Sequence, residues 1–462
     1  METGDRVLFT KEMKKNYTIL LPNMLPMHFK LLAKMLDSYG YHTVLLENTD
    51  HAVIETGLKY VHNDTCYPAL LIIGQFINAL QSGAYDPDKT ALMLTQTGGG
   101  CRASNYIPLL RKALKKAGLS QVPVISLNIA GLEKNPGFKL TLGLGKRMLY
   151  AVYYGDLLMS LVNQCRPYEK TPGAAQKLAD DWVVRLVEQM GEGRNVSYAD
   201  IKETYASILR DFDKRFPPPA TRKVRVGIVG EIFVKFSPLG NNHLEDFLVS
   251  EGAETVMAGL LDFLMYSVNT SVVDTRLYGM KKKTGRVMKW AYNYLHRKQL
   301  DFIRLYRENS RFTPPTDFER TRAQICGYIS EGVQMGEGWL LPAEMLELIE
   351  GGVTNVVCAQ PFGCLPNHIV GKGMMKHIRE THPGVNLVAI DYDSGASRIN
   401  QENRLKLMLA NAGRGGAGFA GQKPRDMENN PQKVENSTLN IENKPQDVEN
   451  DPQKEQTTCT PV

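Results

Sequence analysis

TALMLTQTGGGCRASNYIPLLRKALKKAG, residues 90–118, contains the pattern that decides the fold. It begins with an apolar run of strand length, continues through a glycine-rich turn and ends in a segment with the apolar periodicity of a helix. A strand followed by a turn and a helix is the repeating unit of α/β proteins, in which parallel strands form a sheet that helices cover on both faces.

Similar units occur on both sides of this segment. Further apolar runs of strand length occupy residues 17–23, 42–48, 123–129, 224–234, 255–263, 354–361 and 386–393. Between the two groups of strands, a helical stretch over residues 139–213 ends at RFPPPATRK, where three consecutive prolines stop a helix. The sequence therefore predicts two doubly wound, Rossmann-like parallel-sheet domains of α/β class, residues 1–215 and 216–412, with a helical connection.

The C-terminal segment, residues 413–462, differs in composition from the rest of the chain. It begins with glycines and continues in a degenerate polar repeat, seen in MENNPQKVEN and IENKPQDVEN. Such a segment cannot bury enough apolar surface to fold, so a disordered tail is predicted. Cys459 lies in this tail and is therefore not expected to be a ligand.

Composition and charge limit the classes of protein to which this chain can belong. The 462 residues are 43% hydrophobic and 23% charged, as in ordinary globular proteins. No apolar run has membrane-spanning length, and the charged N-terminus leads directly into a strand rather than resembling a signal peptide. A cytoplasmic protein without a membrane partner is predicted. The net charge of +6 suits an anionic ligand such as a nucleotide or coenzyme A and is too weak to indicate nucleic acid.

Three cysteines, Cys66, Cys101 and Cys364, lie in turns rich in Gly, Pro, Asn or Asp. Each is expected at or just beyond the end of a buried strand, where a thiolate can be offered to a ligand. In a reducing compartment such cysteines indicate a metal ion or an iron–sulfur cluster rather than a disulfide. Because no CxxC pair is present, plain turn residues and a structural zinc site remain alternatives.

The other cysteines of the body have simpler interpretations. Cys165, Cys326 and Cys358 lie in helical, irregular or apolar contexts and are predicted to be core residues. Cys326 or Cys358 could also serve as a further ligand.

Several polar and glycine residues are candidates for a cleft around the cysteines. Gly99 and Gly100 allow backbone N–H groups to approach an anion or a cluster, although a simple tight turn is the alternative. Further candidates for the cleft or for substrate binding are Arg102, Ser237, Asn241, Glu337 and Asn367. Helix capping is an equal interpretation for Asn241, and a plain loop is one for Glu337.

The segments around these cysteines carry a resemblance to a known family. YVHNDTCYPA, GGGCRASNY, QPFGCLPNH and IDYDSGAS, together with FTKEMKKNYTILLPNMLPMHF, resemble the 2-hydroxyacyl-CoA dehydratase superfamily over residues 8–411. The resemblance is greatest to the dehydratase-type module of acyl-CoA dehydratase activase-related proteins. It implies a [4Fe–4S] cluster in the cleft between two α/β domains, with Cys66, Cys101 and Cys364 as ligands.

The resemblance also implies a function. In such proteins an ATP-dependent activator, either a separate ATPase protein or a domain, donates a low-potential electron for anaerobic radical dehydration of an acyl-CoA, a lyase reaction. The alternatives are reduction of a small molecule, including by a double-cubane-type cluster, and a non-catalytic electron-transfer or cluster-bearing partner of an ATPase. The dehydratases are dimers of related subunits, so a homo- or heterodimer is predicted. Catalytic acid and base residues are not identified by the sequence.

Overall fold

The chain forms two parallel four-stranded sheets. The structure, a computed structural model, describes residues 6–62, 64–96, 100–128, 133, 135–280 and 282–415. The strands are β1 (Thr18–Leu21), β2 (His42–Leu45), β3 (Thr90–Gln96), β4 (Val124–Asn128), β5 (Val224–Gly230), β6 (Ala253–Val256), β7 (Asn355–Pro361) and β8 (Asn386–Tyr392). Their orders are β2-β1-β3-β4 and β6-β5-β7-β8, with every pair parallel. The prediction of an α/β fold with two parallel sheets is confirmed.

Helices connect and cover these strands. In the first half they are α1 (Met13–Asn16), α2 (Pro26–Ser38), α3 (His51–Tyr60), α4 (Tyr67–Gln81), α5 (Tyr106–Lys116), α6 (Leu142–Cys165), α7 (Ala174–Met190) and α8 (Tyr198–Arg215). In the second half they are α9 (Ile232–Phe236), α10 (Pro238–Asn241), α11 (Leu244–Ser250), α12 (Leu260–Tyr278), α13 (Lys282–Asn309), α14 (Phe318–Ala323), α15 (Leu340–Glu350), α16 (Gly373–Thr381) and α17 (Arg398–Gly415). No helix in these described ranges is long and apolar enough to cross a membrane.

Two of the apolar runs predicted as strands continue into helices. The strand expected over 224–234 ends at Gly230, and α9 begins at Ile232. Likewise, the run 255–263 contains only the end of β6, followed by the first turn of α12. An apolar run does not by itself distinguish the end of a buried strand from the start of a buried helix, and this ambiguity explains both differences.

One core joins helices from both halves. Phe302 on α13 packs against Tyr205 on α8, with ring centroids 4.4 Å apart, and against Tyr153 on α6, with centroids 4.7 Å apart. These rings belong to one continuous cluster of buried side chains that reaches from Phe9 to Ala343. The long helical connection is therefore part of the core. The boundaries at residues 215 and 412 stay predictions, since α17 runs to Gly415 and the tail beyond it lies outside the described residues.

Helices α3 and α4 pack backbone against backbone through two glycines. A Cβ atom at Gly74 would lie 2.3 Å from the Val53 carbonyl oxygen, and one at Gly57 would lie 2.5 Å from the Leu70 carbonyl oxygen. Both carbonyl groups belong to the helix backbone and cannot rotate away. Any residue larger than glycine at position 57 or 74 would therefore push the two helices apart. This contact fixes the position of α4, whose first turn follows Cys66.

Gly74→Ala is expected to lower the free energy of unfolding by about 1–3 kcal/mol, because the new methyl group overpacks the α3–α4 contact. Urea denaturation followed by tryptophan fluorescence measures this change. Gly145→Ala on α6 is the matched control, since a Cβ atom there has no neighbour within 4 Å. It should stabilise the chain by about 0.5–1 kcal/mol through helix propensity, and an equal loss in both variants would contradict the packing argument.

Candidate functional site

The three cysteines lie at the starts of helical turns. Cys101 follows β3 and precedes a short 3₁₀ turn at Arg102–Asn105, and Cys364 follows β7. Cys66 is the N-cap residue of α4 and follows α3, so the expectation that it follows a strand is wrong. The Gly/Pro/Asn/Asp turn was predicted correctly, but it joins two helices instead of a strand and a helix. The β3 and β7 ends occupy the same position in sheets of identical strand order.

The Cys66 turn contacts the Cys364 turn directly. The backbone N–H of Tyr67 donates to the Phe362 carbonyl oxygen at 3.0 Å. Gly363 has a φ of +72°, in the left-handed region, and a Cβ atom on it would lie 3.3 Å from the Cys66 Cα atom. Glycine at 363 is therefore favoured for both reasons. Residues almost 300 positions apart in the chain thus meet at one point.

The segment that carries Cys101 also contacts the Cys66 turn. The Tyr106 hydroxyl is hydrogen-bonded to Cys66 Sγ at 3.2 Å. The Arg102 guanidinium donates to the Asp64 carbonyl oxygen. Arg102 therefore holds the Cys66 turn, and its side chain remains exposed to solvent.

A third loop lies over these turns. A Cβ atom at Gly100 would lie 2.7 Å from Met335 Sδ, and one at Gly336 would lie 2.7 Å from Pro366 Cγ. The loop that carries Glu337 therefore touches both the Cys101 and the Cys364 segments. Gly99 lies outside the described residues.

Each of the three sulfur atoms has a polar hydrogen-bond partner. Cys66 is bonded to Tyr106, Cys101 Sγ accepts from the Ala103 backbone N–H at 3.4 Å, and Cys364 Sγ accepts from Asn367 Nδ2 at 3.3 Å. N–H and O–H groups aimed at sulfur are the outer partners that orient cluster ligands and tune their potential. Asn367, a predicted site residue, thus has a role at one of the sulfurs.

Burial is the main influence on the pKa values of these thiols. It raises the pKa of Cys101 to about 11 and raises the pKa of Cys66 and of Cys364. Without a bound metal the thiols therefore stay protonated at neutral pH, and metal binding would release these protons.

Among the described residues, no three His, Cys, Asp or Glu side chains are arranged to hold a single ion. Sulfurs that bind different irons of a cluster stand farther apart than ligands of one ion.

The set of donor atoms at the three cysteine turns suits an iron–sulfur cluster. Three soft sulfur ligands with hydrogen-bond donors match the ligand preference of iron–sulfur clusters. Nearby, Asn367 Oδ1, Gln360 Oε1 and the Tyr266 hydroxyl are buried and have no hydrogen-bond partner within the described part of the chain. The Tyr266 hydroxyl lies 2.8 Å from the position of a Cβ atom on Gly338, beside Glu337. A water or ligand atom bound there would satisfy these buried groups.

Two buried carboxyl groups, Glu231 and Glu337, adjoin the cysteines. Glu231 Oε2 accepts from the backbone N–H groups of Phe233 at 3.0 Å and Val234 at 2.8 Å, and Glu337 Oε1 accepts from that of Ile232 at 2.8 Å. Between them the two groups therefore cap the first three amides of α9, Glu337 at Ile232 and Glu231 at Phe233 and Val234. The structure adds Glu231, which the sequence did not identify, to the predicted Glu337.

The pair cannot be fully ionised at neutral pH. Burial and then the charge of Glu337 raise the pKa of Glu231 to about 8, and burial raises the pKa of Glu337. Two buried carboxylates so close together share at least one proton. Since Glu231 Oε2 already accepts two N–H groups, Oε1 is the better placed of the two oxygens to carry a proton.

Glu231→Gln is expected to flatten the pH dependence of stability in the iron-free protein. The folded-state pKa of Glu231 is raised, so its contribution is fully present below the unfolded-state pKa of about 4.5 and is lost as the pH rises towards about 8. The wild type should therefore lose more free energy of unfolding between pH 5 and pH 8 than the variant, by more than about 1 kcal/mol. Urea denaturation at both pH values measures the difference. Parallel losses in the two proteins would show that Glu231 is ionised throughout.

Ser237 and Asn241 serve local structure. Ser237 Oγ accepts from the Gly240 N–H at 3.3 Å, and Asn241 Nδ2 donates to the Val234 carbonyl oxygen at 2.9 Å. Asn241 Oδ1 also accepts from the Leu244 N–H at 3.0 Å, in agreement with the capping interpretation. A direct role for these two residues in ligand binding stays a prediction.

The remaining cysteines are placed in different environments. Cys165 on α6 and Cys358 in β7 are buried, as predicted. Cys326 is exposed in the turn after α14, so its prediction as a core residue is wrong. The apolar neighbour Ile325 is buried instead, and the turn directs the next residue outward.

Comparison with known proteins adds no family assignment. The chain matches no protein-family model, and no curated protein matches it.

Proposed function

We propose that this protein is a [4Fe–4S] protein of the 2-hydroxyacyl-CoA dehydratase type, with Cys66, Cys101 and Cys364 as cluster ligands. The observation that carries the proposal is the meeting of three cysteine-bearing turns from distant parts of the chain, each with a hydrogen bond at its sulfur. The protein would accept a low-potential electron from an ATP-dependent activator and use it for radical dehydration or reduction of an acyl-CoA or another small substrate.

The three proposed ligands differ in solvent exposure, and this difference indicates the side from which a substrate would approach. When bound with three thiolates, such a cluster supplies one transferable electron and one iron open to a substrate oxygen. Cys66 and Cys364 are buried, whereas Cys101 is partly exposed. Gly100 and Arg102, on either side of Cys101, are exposed as well. Substrate would therefore approach along the Cys101 side, where the Arg102 guanidinium can attract an anionic group.

The Glu231–Glu337 pair supports a catalytic rather than a purely electron-carrying role. Loss of a hydroxyl group needs a proton at the departing oxygen, which an acid with a pKa near neutral provides most efficiently. Burial and the charge of Glu337 raise the pKa of Glu231 to about 8, close to this requirement. Glu337 would then keep Glu231 protonated by its charge. We assign Glu231 as the general acid and Glu337 as the residue that sets its pKa.

The surface next to Cys364 supports docking of an activator. Phe362, Leu365 and Ile369 each have more than half of their surface exposed, and Met335 beside Gly100 is exposed too. Large apolar side chains grouped around one site are typical of a surface that another protein covers. An electron donor bound there would stand close to Cys364.

Anaerobic purification followed by iron and sulfide analysis tests the proposal. Roughly four irons and four sulfides per chain are expected, with an electron paramagnetic resonance spectrum of a reduced four-iron cluster after dithionite treatment. Protein that contains zinc instead, or that neither retains iron nor takes it up on reconstitution with iron and sulfide, would refute the cluster assignment. A second step adds an ATP-dependent activator and 2-hydroxyacyl-CoA substrates. Glu231→Gln should keep the iron and lose turnover, whereas unchanged turnover would refute the acid assignment.

A further inference from the structure

A pocket of about 740 Å³ lies beside the segment 216–223, which joins α8 to β5. The pocket is at the opposite end of β5 from the candidate site, because Lys223 precedes the strand and Glu231 follows it. A seven-residue strand separates the two places by roughly 20 Å. The volume is within the range of small-molecule sites, about 300–1,000 Å³.

The charged side chains of this pocket are mostly basic. Its basic lining residues are Lys170, Arg215, Arg222, Lys223 and Arg311. The two acidic lining residues are both already hydrogen-bonded within the protein. Glu169 accepts from the N–H groups of Gly173 and Ala175 at the start of α7, and Glu254 accepts from the Tyr168 hydroxyl at 2.6 Å.

Three of the basic residues have no neutralising partner. Arg215 pairs with Asp211 at 3.0 Å, and Arg311 pairs with Asp213 at 2.5 Å. Within the described ranges, by contrast, Lys170, Arg222 and Lys223 form no ion pair, and all three are exposed. Unpaired positive charges grouped around one pocket raise the local concentration of anions.

The pocket also has an apolar and aromatic part. Phe216, Phe312 and the prolines 217–219 line it, together with Tyr168. The Tyr168 hydroxyl accepts from the Lys223 N–H at 3.0 Å, which holds the ring next to this basic residue. Flat apolar surface beside several cations suits a ligand that carries both an aromatic base and phosphate groups.

We propose that this pocket binds a nucleotide-type ligand, either a nucleoside polyphosphate or the adenosine phosphate part of a coenzyme A. Arg222, Lys223 and Lys170 bind the phosphates, and Tyr168 with Phe216 contacts the base. The pocket adjoins the segment 216–223, which joins α8 to β5, so a ligand here would also stabilise the junction of the two halves. This site is independent of the iron–sulfur assignment.

Isothermal titration of the full chain with ADP, coenzyme A and inorganic pyrophosphate, at about 0.15 M salt, tests the proposal. ADP or coenzyme A should bind with a submillimolar Kd, and pyrophosphate should bind at least about tenfold more weakly because it lacks the base. Arg222→Ala/Lys223→Ala should weaken binding by about tenfold or more, and Arg222→Lys/Lys223→Arg should retain it.

Lys282→Ala/Lys283→Ala at the start of α13 is the matched control, since it removes the same charge from two exposed lysines far from the pocket. It should bind like the wild type. Equal weakening in both double variants would show general charge attraction and overturn the site, as would the absence of binding by all three probes at millimolar concentration. Pyrophosphate binding as tight as that of ADP would overturn the nucleotide assignment. Repeating the titration on iron-free protein shows whether binding at this pocket depends on the cluster. Failure of this proposal can then be distinguished from failure of the cluster proposal.

Discussion

Replacing any one of Cys66, Cys101 and Cys364 by serine is expected to remove nearly all iron from the anaerobically purified protein. A serine hydroxyl stays protonated and offers a hard oxygen, whereas iron in such clusters is held by soft thiolates. A serine oxygen also lies closer to its Cβ atom than a cysteine sulfur does, so the N–H groups of Ala103 and Asn367 would face an atom displaced from the sulfur position. Iron and sulfide analysis, with the visible absorption spectrum, measures the loss.

Cys165→Ser provides the control for this series. Cys165 is as buried as Cys66 and Cys364 but lies on α6, away from the three turns. Its variant is expected to keep the iron, at a cost of about 1–3 kcal/mol for a buried hydroxyl. Full iron in the Cys66, Cys101 and Cys364 variants would refute the ligand assignment. Iron loss in all four variants would indicate general unfolding, which near-ultraviolet circular dichroism detects.

Removing Glu344 is expected to cause a large loss of stability, because it is one half of a fully buried ion pair. Lys235 Nζ lies 2.8 Å and 3.0 Å from the two carboxylate oxygens of Glu344, and the side chains are 2% and 3% exposed. Glu344→Ala leaves a buried ammonium group without its partner, which costs about 3–5 kcal/mol. Urea denaturation of the iron-free protein measures the change in the free energy of unfolding.

Two comparisons show whether burial causes this effect. Lys235→Met/Glu344→Leu replaces both charges by apolar groups and should recover most of the lost stability. Lys376→Ala breaks an exposed ion pair with Glu380, whose side chains are 85% and 60% exposed, and should cost less than about 0.5 kcal/mol. A loss below about 1 kcal/mol for Glu344→Ala would mean that water reaches Lys235.

The sheets could be predicted from the sequence because their strands are continuous apolar runs. Seven of the eight runs contain an observed strand, the run 255–263 overlaps only the end of β6, and the similarity of the two halves corresponds to identical strand orders. Strand ends were less accurate where a buried helix follows directly, as at Gly230 and Val256. There the deciding contacts are side chains that accept the first N–H groups of the helix, Glu231 for α9 and Asp156 for α12, and these contacts are not visible in apolar periodicity.

The candidate site was only partly predictable for a different reason. The cysteines can be recognised as candidate ligands from their residue type and from the turns in which they lie. Glu231, by contrast, resembles an ordinary residue at a strand end. Its significance depends on Glu337, which meets the same helix start although it is more than 100 residues away in the chain. The hydroxyl of Tyr106 at Cys66 is a similar case, since no local pattern indicates which side chain will reach a sulfur.

The aromatic contacts of α13 with α6 and α8 have a consequence for how the chain unfolds. Since Phe302 lies against Tyr153 and Tyr205, neither half keeps a complete interior when the other is removed. We therefore expect a single cooperative transition for the whole molecule, with coincident fluorescence and circular dichroism curves. Cutting the gene at the proline segment would give two fragments with exposed aromatic faces, each prone to aggregate unless co-expressed with the other.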